Sequence, residues 1–500
     1  MKKVKKTGVT SIVCVLTAIA LVICMVCFKS SGENSSVFQP DSSYITAKNI
    51  ALNKGVGSAK KLTDGDTKTS FKKFDKKQSY IDIDLEKTES FNCIVLKEDG
   101  LNIKDFSVLV SNDNKTFTQV YHGDKIEYHR LCTFDDVNAR YIRIFINESN
   151  KFFNLKEIEV YNQEKVNSDN FRMTGYVVNN DFYEILNNAE IKDKNSAVEK
   201  MLAKHNFAGM THVNFYCGIS FDENGNVFVG DPKGNQQKQK EELRYMVEAM
   251  RKYGKSDLKI VGVMGISTGN PATNIAMGDN RDAFVENLIS FANEFGFDGI
   301  DIDYEFPQSD NDYKIFGDFL VELKNQMILK MNTSKQPILS CAFGTKDINY
   351  PKEVIDAIDI VNVMTYDIFD QDGQHSSFWS CAVQGAEYIE ELGFPKEKIN
   401  IGIPFYGTQV DALMEQYIYK DIESFDYFEN TYTFNSYLDG SPTQVYFNSP
   451  AMVRDKTAYA LLNEYGGIMV WHFSCDTDYS SEYSLWRAAY TAVNQFGGAK

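Results

Sequence analysis

The segment from Tyr44 to about Tyr161 alternates apolar and polar residues with a period of two. Ile81, Ile83 and Leu85, for example, are separated by single aspartates. This alternation is typical of short strands that bury one face. No helix-length amphipathic stretch interrupts the strands. The pattern therefore predicts an all-β jelly-roll sandwich over residues 44–162, an architecture typical of binding modules.

After a polar linker at residues 163–170, short apolar runs alternate with stretches of helical periodicity. Eight such runs span residues 171–497, and eight strand–helix units predict a (β/α)8 TIM barrel. In such barrels the functional side chains lie at the carboxyl-terminal ends of the strands. The eight runs begin near Met173, His212, Leu258, Phe297, Pro337, Asp359, Ile399 and Gly467.

The fourth apolar run ends in the densest cluster of acidic residues, within the sequence 297–307. On a strand, the period of two places Asp301, Asp303 and Glu305 on one face, which we expect to point into the barrel. Crowded like charges raise the pKa of at least one carboxyl, so one group can stay protonated near neutral pH and act as a general acid. Glu305, nearest the open end, is best placed for this role.

Asp298 belongs to the same run but falls out of register with the other three acids, so we interpret it as orienting or structural. A hard cation would also accept three carboxylates. However, no histidine at metal-ligand spacing accompanies them. We therefore favour proton chemistry and expect no cofactor for catalysis.

Before the sandwich, a lysine-rich start precedes an uncharged stretch from Thr7 to Phe28. This is an export signal, and it is long enough to span a bilayer. Residues 1–29 are therefore predicted to be a signal peptide or an uncleaved signal anchor, and residues 30–43 a polar spacer. Both alternatives place the rest of the chain outside the cell, anchored or secreted, with membrane contact only through this segment.

Charge and cysteine content narrow the function classes. The net charge of −17 disfavours nucleic acid, because binding phosphate backbones needs a basic footprint. A neutral or cationic ligand is expected instead, and the chain is predicted to be a monomer. Nine cysteines, three of them in the leader, are too few for a disulfide-built scaffold, so packed cores hold the domains together.

The acidic run resembles the DxxDxDxE signature of family 18 glycoside hydrolases, the chitinases and endo-β-N-acetylglucosaminidases. Every fixed position matches, and the likeness covers Phe171 to about Phe496. One position departs from the family pattern: in the third strand, 259–267, the usual serine is lost or displaced. This puts in doubt a hydrogen bond to Asp301. The motifs that carry the resemblance are Asp298/Asp301/Asp303/Glu305, Gly175-Tyr176, Met364-Thr365-Tyr366-Asp367, 402–407 and 466–471.

The resemblance implies a substrate-assisted, retaining hydrolysis in which the substrate's own N-acetyl group is the nucleophile. Glu305 would protonate the leaving oxygen, Asp303 would orient the acetamido group, and Asp301 would share its proton or hydrogen bond. Tyr366 would bind the acetamido oxygen. The further residues that the resemblance assigns to substrate binding are Tyr176, Met364, Asp367, Tyr406 and Trp471.

The predicted sandwich resembles discoidin-like, coagulation-factor C-type modules, through 62–69, 139–143 and 157–161. In secreted hydrolases such modules often bind carbohydrate and hold a structural calcium. The resemblance would place that calcium near Asp64, Asp66, Thr69 and Glu159. Oxygen-rich loops suit this hard cation. A plain turn at 64–66 with a solvated Glu159 explains these residues equally well.

Several substrate classes remain open. The expected reaction is chitinase-like hydrolysis of β-1,4-linked N-acetylglucosamine glycans. The chain has three tryptophans, and no large insertion follows 407, which favours soluble or branched glycans and an open cleft. An endo-β-N-acetylglucosaminidase acting on the chitobiose core of N-glycans is the first alternative. A catalytically silent, lectin-like barrel is the second, and the presence of Glu305 weighs against it.

Overall fold

The structure is a computed structural model that describes residues 42–499, except 55–56, 74–78, 151, 334, 346–349, 369–376, 410–411, 423–425 and 436–439. The predicted leader and nearly all of the predicted spacer therefore lie outside the described residues. Within the described ranges, no helix combines the length and the apolar character that a membrane span requires.

A β-rich domain precedes the barrel. Its strands are β1 (Phe71–Lys73), β2 (Ser79–Glu98), β3 (Ile103–Ser111), β4 (Thr118–Gly123), β5 (His129–Ser149) and β6 (Phe153–Tyr161). They form an antiparallel sheet in the order β1-β6-β2-β5-β3-β4. The pairing of β2 with β5 shifts register near Asp84 and Phe91. Ile83, before the first shift, and Ile94, after the second, are buried in the same hydrophobic core. The two halves of β2 therefore face each other across that core, and the sheet folds over on itself.

Beyond the linker, eight parallel strands close into a barrel. The strands of this part are β7 (Val166–Asn167), β8 (Arg172–Val178), β9 (His212–Tyr216), β10 (Ile219–Phe221), β11 (Val227–Val229), β12 (Lys259–Ser267), β13 (Gly299–Glu305), β14 (Ile338–Phe343), β15 (Ile360–Val363), β16 (Ile399–Pro404), β17 (Tyr406–Gln409), β18 (Ala412–Ile418), β19 (Thr431–Asn435), β20 (Pro442–Tyr446), β21 (Gly467–Trp471) and β22 (Gly497–Gly498). The barrel consists of β8, β9, β12 to β16 and β21. The predicted (β/α)8 barrel is thereby confirmed, and each strand begins within two residues of its predicted start.

The helices that surround the barrel are α1 (Asn179–Leu186), α2 (Lys194–His205), α3 (Gln236–Tyr253), α4 (Thr273–Met277), α5 (Arg281–Phe295), α6 (Asp310–Lys330), α7 (Lys352–Ala357), α8 (Trp379–Glu391), α9 (Pro450–Leu462) and α10 (Leu485–Phe496). Short 3₁₀ helices occur at Gly57–Leu62, Lys396–Lys398, Tyr419–Asp421 and Phe473–Cys475. Between barrel strands β16 and β21, the chain forms a small antiparallel sheet in the order β18-β17-β20-β19. The predicted linker is fixed at its middle, because β7 pairs with β22 at the end of the chain.

Helix α9 joins the two domains. Ser449 caps its first turn by accepting from the Met452 amide, and Pro450 at the first position has no N–H to leave unpaired. Every residue of the helix is buried. One side therefore faces the barrel, and the other packs against strand β5 of the β-rich domain.

Asp455, fully buried on α9, is the polar centre of this interface. One carboxylate oxygen accepts from the amide (2.8 Å) and the hydroxyl (2.6 Å) of Thr133. The other accepts from the Tyr121 hydroxyl at 2.6 Å, with the Arg130 guanidinium at 3.5 Å. An unpaired charge at this depth would be strongly unfavourable, so these partners fix how the domains meet.

Replacing Asp455 with alanine should destabilise the whole chain. The variant leaves Arg130 buried and without its countercharge, which costs about 3–5 kcal/mol in comparable cases. Urea unfolding, followed by circular dichroism, measures this loss. Asp135→Ala is the control, because the side chain of Asp135 is 89% exposed at the rim of the same interface, where it pairs with Arg454. Equal losses in the two variants would contradict the role assigned to Asp455.

Candidate active site

Strand β13 carries three acids at the mouth of the barrel. Its Asp301 and Asp303 point into the barrel and are buried, whereas Ile300 and Ile302 pack toward the helices. Glu305, at the carboxyl-terminal end of the strand, is exposed. The predicted placement of the three carboxylates on one face is what the structure shows.

Small neighbours make room for these acids. In the parallel register Asp303 lies between Gly265 of β12 and Ala342 of β14. Gly265 is also required by a second contact, since a Cβ there would lie 1.7 Å from the Tyr216 hydroxyl. Tyr216 is not among the residues predicted from the sequence, although its place at the end of the second barrel strand was a signal for it.

Asp301 is held by three donors. It accepts from the Tyr176 hydroxyl at 2.7 Å, from the Ser340 hydroxyl, and from the Asn362 amide at 3.3 Å. Burial raises the pKa of Asp301 to about 6, and the same donors oppose that rise. The serine missing from the third strand is therefore replaced by a serine on the fifth, and Asp301 keeps a hydroxyl partner.

A chain of hydrogen-bonded side chains runs from Asp301 through two asparagine amides toward the amino-terminal ends of the barrel strands. Asn400 donates to the Asn362 oxygen at 2.9 Å and to the Thr174 hydroxyl at 3.2 Å. Arg172, near the start of the first barrel strand, donates to the Asn400 oxygen at 3.0 Å. Each partner leaves the next only one productive orientation, so the amide that meets Asp301 is fixed from below.

Asp303 differs from Asp301 in having a free acceptor. Its Oδ1 atom is buried and has no hydrogen-bond partner within the described part of the chain. Burial raises the pKa of Asp303 well above its ordinary value, and the charges of Glu305 and Asp301 raise it further. A buried, unpaired acceptor at the mouth of the barrel is suited to an N–H donor from a ligand.

The pKa of Glu305 is raised to about 7. Although the residue opens to solvent at the mouth, the protein around its carboxyl desolvates that group, and the nearby charge of Asp367 adds to the rise. Glu305 can therefore carry a proton at neutral pH, as a general acid requires.

Three further predicted residues meet beside Glu305. The Tyr406 hydroxyl donates to Asp367 at 2.8 Å, and burial raises the pKa of Asp367 to about 6 although this bond lowers it. The Tyr366 ring lies edge-on to that of Tyr406, with centroids 6.2 Å apart. In the described structure, the only hydrogen-bond partner of the Tyr366 hydroxyl is the Met469 sulfur, at 3.8 Å. A thioether is a weak acceptor, so this hydroxyl remains able to bind a stronger partner.

Trp471 forms the floor of the site. Its ring meets those of Tyr176 and Tyr216 edge-on, at centroid distances of 5.5 and 5.8 Å. Met364 packs into the same apolar cluster. Tyr176, predicted to bind substrate, is only 2% exposed and donates to Asp301. The described contact of Tyr176 is therefore with strand β13, and its part in substrate binding stays a prediction.

Asp298 lies at the other end of the strand, away from the site. It accepts from the Ile260 amide at 2.9 Å and from Arg251 at 2.7 Å. Burial alone would raise the pKa of Asp298, but these bonds and the positive charges of Arg251 and Lys259 outweigh it and lower the pKa. These contacts suit the structural role that its register predicted.

The predicted calcium ligands in the β-rich domain are only partly brought together. Asp64 accepts from the Thr69 hydroxyl at 2.9 Å, and Asp66 caps the same turn. Glu159, however, pairs with Lys97 at 2.9 Å, and the carboxylate that reaches this loop is Glu157, which accepts from the Gly65 amide at 3.1 Å. Glu157, two residues before Glu159 on β6, is thus the carboxylate that contacts this loop, and the part of Glu159 in a calcium site stays a prediction.

One oxygen of Glu157 is buried without a partner among the described residues, which suits a cation. In the same described ranges, no group of three or more His, Cys, Asp and Glu side chains could hold a metal ion. Calcium at this loop would thus need backbone and hydroxyl oxygens as further ligands, and it stays a prediction.

Comparison with known families bears on both domains. The profile of Glycosyl hydrolases family 18 matches residues 172–476, more than half of the chain. The profile of the F5/8 type C domain matches residues 44–158. Both resemblances drawn from the motifs are thereby confirmed.

Among curated proteins, a class V chitinase of Arabidopsis thaliana is 27% identical over 146 residues, covering 26% of this chain and 38% of the relative. A putative chitinase 1 of Margaritifera margaritifera is 25% identical over 267 residues, covering 44% and 57%. The Nod factor hydrolase protein 1 of Medicago truncatula is 31% identical over 147 residues, covering 25% and 38%. The chain thus spans between 38% and 57% of the length of these relatives.

Solved structures are similar at lower identity. The chitinase ChiB of Flavobacterium johnsoniae has 21% identity and a TM-score of 0.47, covering 64% of this chain and 93% of its own. A chitinase-like agglutinin of Robinia pseudoacacia has 22% identity and a TM-score of 0.46, covering 64% and 98%.

The contact between Ser340 and Asp301 predicts a pH-dependent loss of stability in Ser340→Ala. Because the pKa of Asp301 is about 6, the carboxyl is mostly ionised at pH 7.5 and mostly protonated at pH 5. A hydrogen bond to a charged group contributes about 1.5–3 kcal/mol, and one to a neutral group about 0.5–1.5 kcal/mol. The variant should therefore lose more free energy of unfolding at pH 7.5 than at pH 5.

Urea unfolding at both pH values provides the measurement. Ser220→Ala is the matched control, because the Ser220 hydroxyl donates to the Gly230 carbonyl, which does not titrate. The same loss at both pH values in Ser340→Ala would show that Ser340 does not act on the charge of Asp301.

Proposed function

The chain belongs to Glycosyl hydrolases family 18, and on this premise we propose that it hydrolyses β-1,4-linked N-acetylglucosamine glycans in a chitinase-like reaction. The observation that carries this proposal is a pair of neighbouring carboxyls with different environments. Glu305 is exposed at the mouth with a pKa near 7, whereas Asp303 is buried with an unpaired acceptor. The first suits proton donation, and the second suits recognition of an amide N–H.

The proposed reaction begins with the glycan bound across the mouth of the barrel. The acetamido oxygen of the sugar attacks its own anomeric carbon, while Glu305 protonates the departing glycosidic oxygen. The new C–O bond replaces the glycosidic C–O bond and gives a cyclic oxazolinium ion. Family 18 is a recognised exception to the two-carboxylate scheme for this reason.

Water then attacks the anomeric carbon of the oxazolinium ion, and Glu305, now ionised, accepts a proton from that water. The ring opens and the acetamido group is restored. Because the anomeric carbon is attacked twice, from opposite faces, the product keeps the β configuration.

Asp303 would accept the acetamido N–H and oppose the positive charge of the oxazolinium ion. Asp301 supports this step by sharing a proton or hydrogen bond with Asp303, while Tyr176, Ser340 and Asn362 hold Asp301 in place. Since Asp301 and Asp303 are packed on one buried face, their titration belongs to the cluster as a whole.

The rest of the site would bind the sugar at the reacting position. We assign Tyr366 to the acetamido oxygen, because its hydroxyl has only a weak thioether partner in the described structure. Asp367 and Tyr406, bonded to each other, would contact the sugar hydroxyls. Trp471 offers a ring face to the pyranose, and Met364 packs beside it.

An endo-β-N-acetylglucosaminidase remains the second candidate. Of the three tryptophans, Trp379 and Trp486 are fully buried in the protein and only Trp471 lies at the site. A long row of exposed tryptophans, as needed on crystalline chitin, cannot be built from one residue, and this favours soluble or branched glycans. The predicted location is extracellular, where such glycans occur.

Product analysis tests the substrate class. Chito-oligosaccharides and a high-mannose glycoprotein are incubated side by side with the protein, without added metal, and the products are identified by mass. We expect oligosaccharides that contain N-acetylglucosamine. Glu305→Gln, which cannot transfer a proton, should lower kcat by ~10²–10⁴-fold. Full activity in this variant would refute the assignment of the acid, and Glu241→Gln on the exposed face of α3 is the control.

The same assay predicts a pH profile. Glu305 must be protonated to act, so kcat should fall as the pH rises through about 7.

Stereochemistry tests the route. A β-linked substrate followed by NMR before mutarotation should first give the β anomer, and a thiazoline analogue of N-acetylglucosamine should inhibit. Asp303→Asn should lower kcat by ~10²–10³-fold, because it no longer opposes the developing charge. Asp298→Asn, at the far end of the strand, should act mainly on stability. The α anomer as first product would mean inversion by an activated water and would disprove the mechanism.

A further inference from the structure

Helix α8 begins without a capping side chain of its own. Its N-cap position is Phe378, which offers no side-chain acceptor to the free amides of the first turn. The cap comes from the other domain: Glu127, in the loop between β4 and β5, accepts from the Ser380 amide at 2.7 Å. This carboxylate is only 3% exposed. Glu127 therefore caps a barrel helix from outside the barrel, at the end of the helix that attracts negative charge.

The backbone at Glu127 has an unusual conformation. Both Glu127 and Tyr128 have positive φ, at 55° and 72°, a region that residues other than glycine rarely adopt. Arg130 and His129, just beyond, place their side chains over the ring of Trp379, the first residue of α8. The loop and the first two residues of β5 thus both contact the start of α8.

Helix α8 in turn packs on the segment after strand β15 (Ile360–Val363), which carries two site residues. The Cys381 thiol donates to the Thr365 carbonyl, as does the hydroxyl of Ser377, each at 3.3 Å. One helical turn after Cys381, Gly385 packs against Thr365. A Cβ added at Gly385 would be 2.4 Å from the Thr365 methyl group. Any displacement of α8 must therefore displace Thr365 as well.

Thr365 directly precedes Tyr366 and Asp367, which line the proposed sugar site. Its hydroxyl donates to the Gly402 carbonyl of the neighbouring barrel strand at 2.6 Å, so its position is fixed on both sides. Asp367 itself has a positive φ of 57°, which leaves its carboxylate orientation dependent on a well-held backbone.

We propose that Glu127 of the β-rich domain is a positioning residue for the active site, which holds Tyr366 and Asp367 in place through helix α8 and Thr365. The inference rests on the proposed function. It assigns the β-rich domain a part in hydrolysis through its packing, in addition to any sugar that it binds.

Three variants of the full chain distinguish the length of the Glu127 side chain from its charge. Glu127→Gln keeps an oxygen at the same distance, Glu127→Asp keeps the charge but is one carbon shorter, and Glu127→Ala keeps neither. The Gln variant should retain kcat within about two-fold of wild type. The Asp and Ala variants should lower kcat about ten-fold with KM changed by less than about two-fold, because sub-ångström misplacement of groups that act in the transition state mainly affects turnover.

Thr133→Val is the matched control. It removes the hydrogen bond from the Thr133 hydroxyl to Asp455 of α9, at the same domain interface. It should lower the melting temperature while leaving kcat unchanged at a temperature where the protein is folded. If kcat in all four variants simply followed the melting temperature, or if Glu127→Asp matched wild type, the inference would be wrong. Should Glu127→Ala not fold, the Gln and Asp pair still decides.

Hydrogen exchange provides a readout that does not need activity. The amides of Met364 and Thr365 donate to the carbonyls of Phe343 and Val363, so they are protected in the wild type. Faster exchange of these amides in Glu127→Asp, with wild-type exchange in Glu127→Gln and Thr133→Val, is the expected result. Unchanged exchange in Glu127→Asp would overturn the inference even if the wild type hydrolysed neither substrate, an outcome that would count against the proposed function alone.

Discussion

The structure depends most on one electrostatic constraint: several carboxyl groups share a barrel interior in which water cannot solvate them. Such a cluster persists only if each member has a different means of carrying or avoiding its charge. Asp301 has three donors, Asp303 shifts toward the protonated form, and Glu305 reaches the rim. The chain of hydrogen-bonded side chains through Asn362 and Asn400 and the small residues beside β13 follow from this constraint, since the former supplies donors and the latter supply space.

The constraint extends to the second domain through α9 and α8. Charged residues on these barrel helices, or free amides at their ends, find partners on β5 and the loop before it, as Asp455 does with Thr133 and Ser380 with Glu127. A module that only tethered the barrel to a surface would need no buried polar contacts of this kind. The interface instead resembles the interior of one folded unit, in which polar groups are paired because they are buried.

Much of this architecture was predictable from periodicity. Strand starts were found within two residues because buried parallel strands are short apolar runs, and the parity of 301, 303 and 305 gave their common face. Pairing between distant strands was not predictable. That Ser340 replaces the serine absent from the third strand depends on the register of β13 with β14, and no local pattern encodes it. Likewise, Glu157 and Glu159 both fit an oxygen-rich loop by sequence, and only the neighbours of β6 distinguish them.

The three tryptophans lie in three different environments. Trp379 lies between the domains against His129, and Trp471 lies at the site. Trp486 is buried on helix α10, where its indole donates to the Ala208 carbonyl at 2.9 Å. Their emission is therefore a built-in set of optical reporters. Quenching by a soluble additive should distinguish the half-buried Trp471 from the other two, and the emission of Trp379 reports the polarity of the contact between the domains. Changes at the site and at the domain interface could thus be followed without attaching any label.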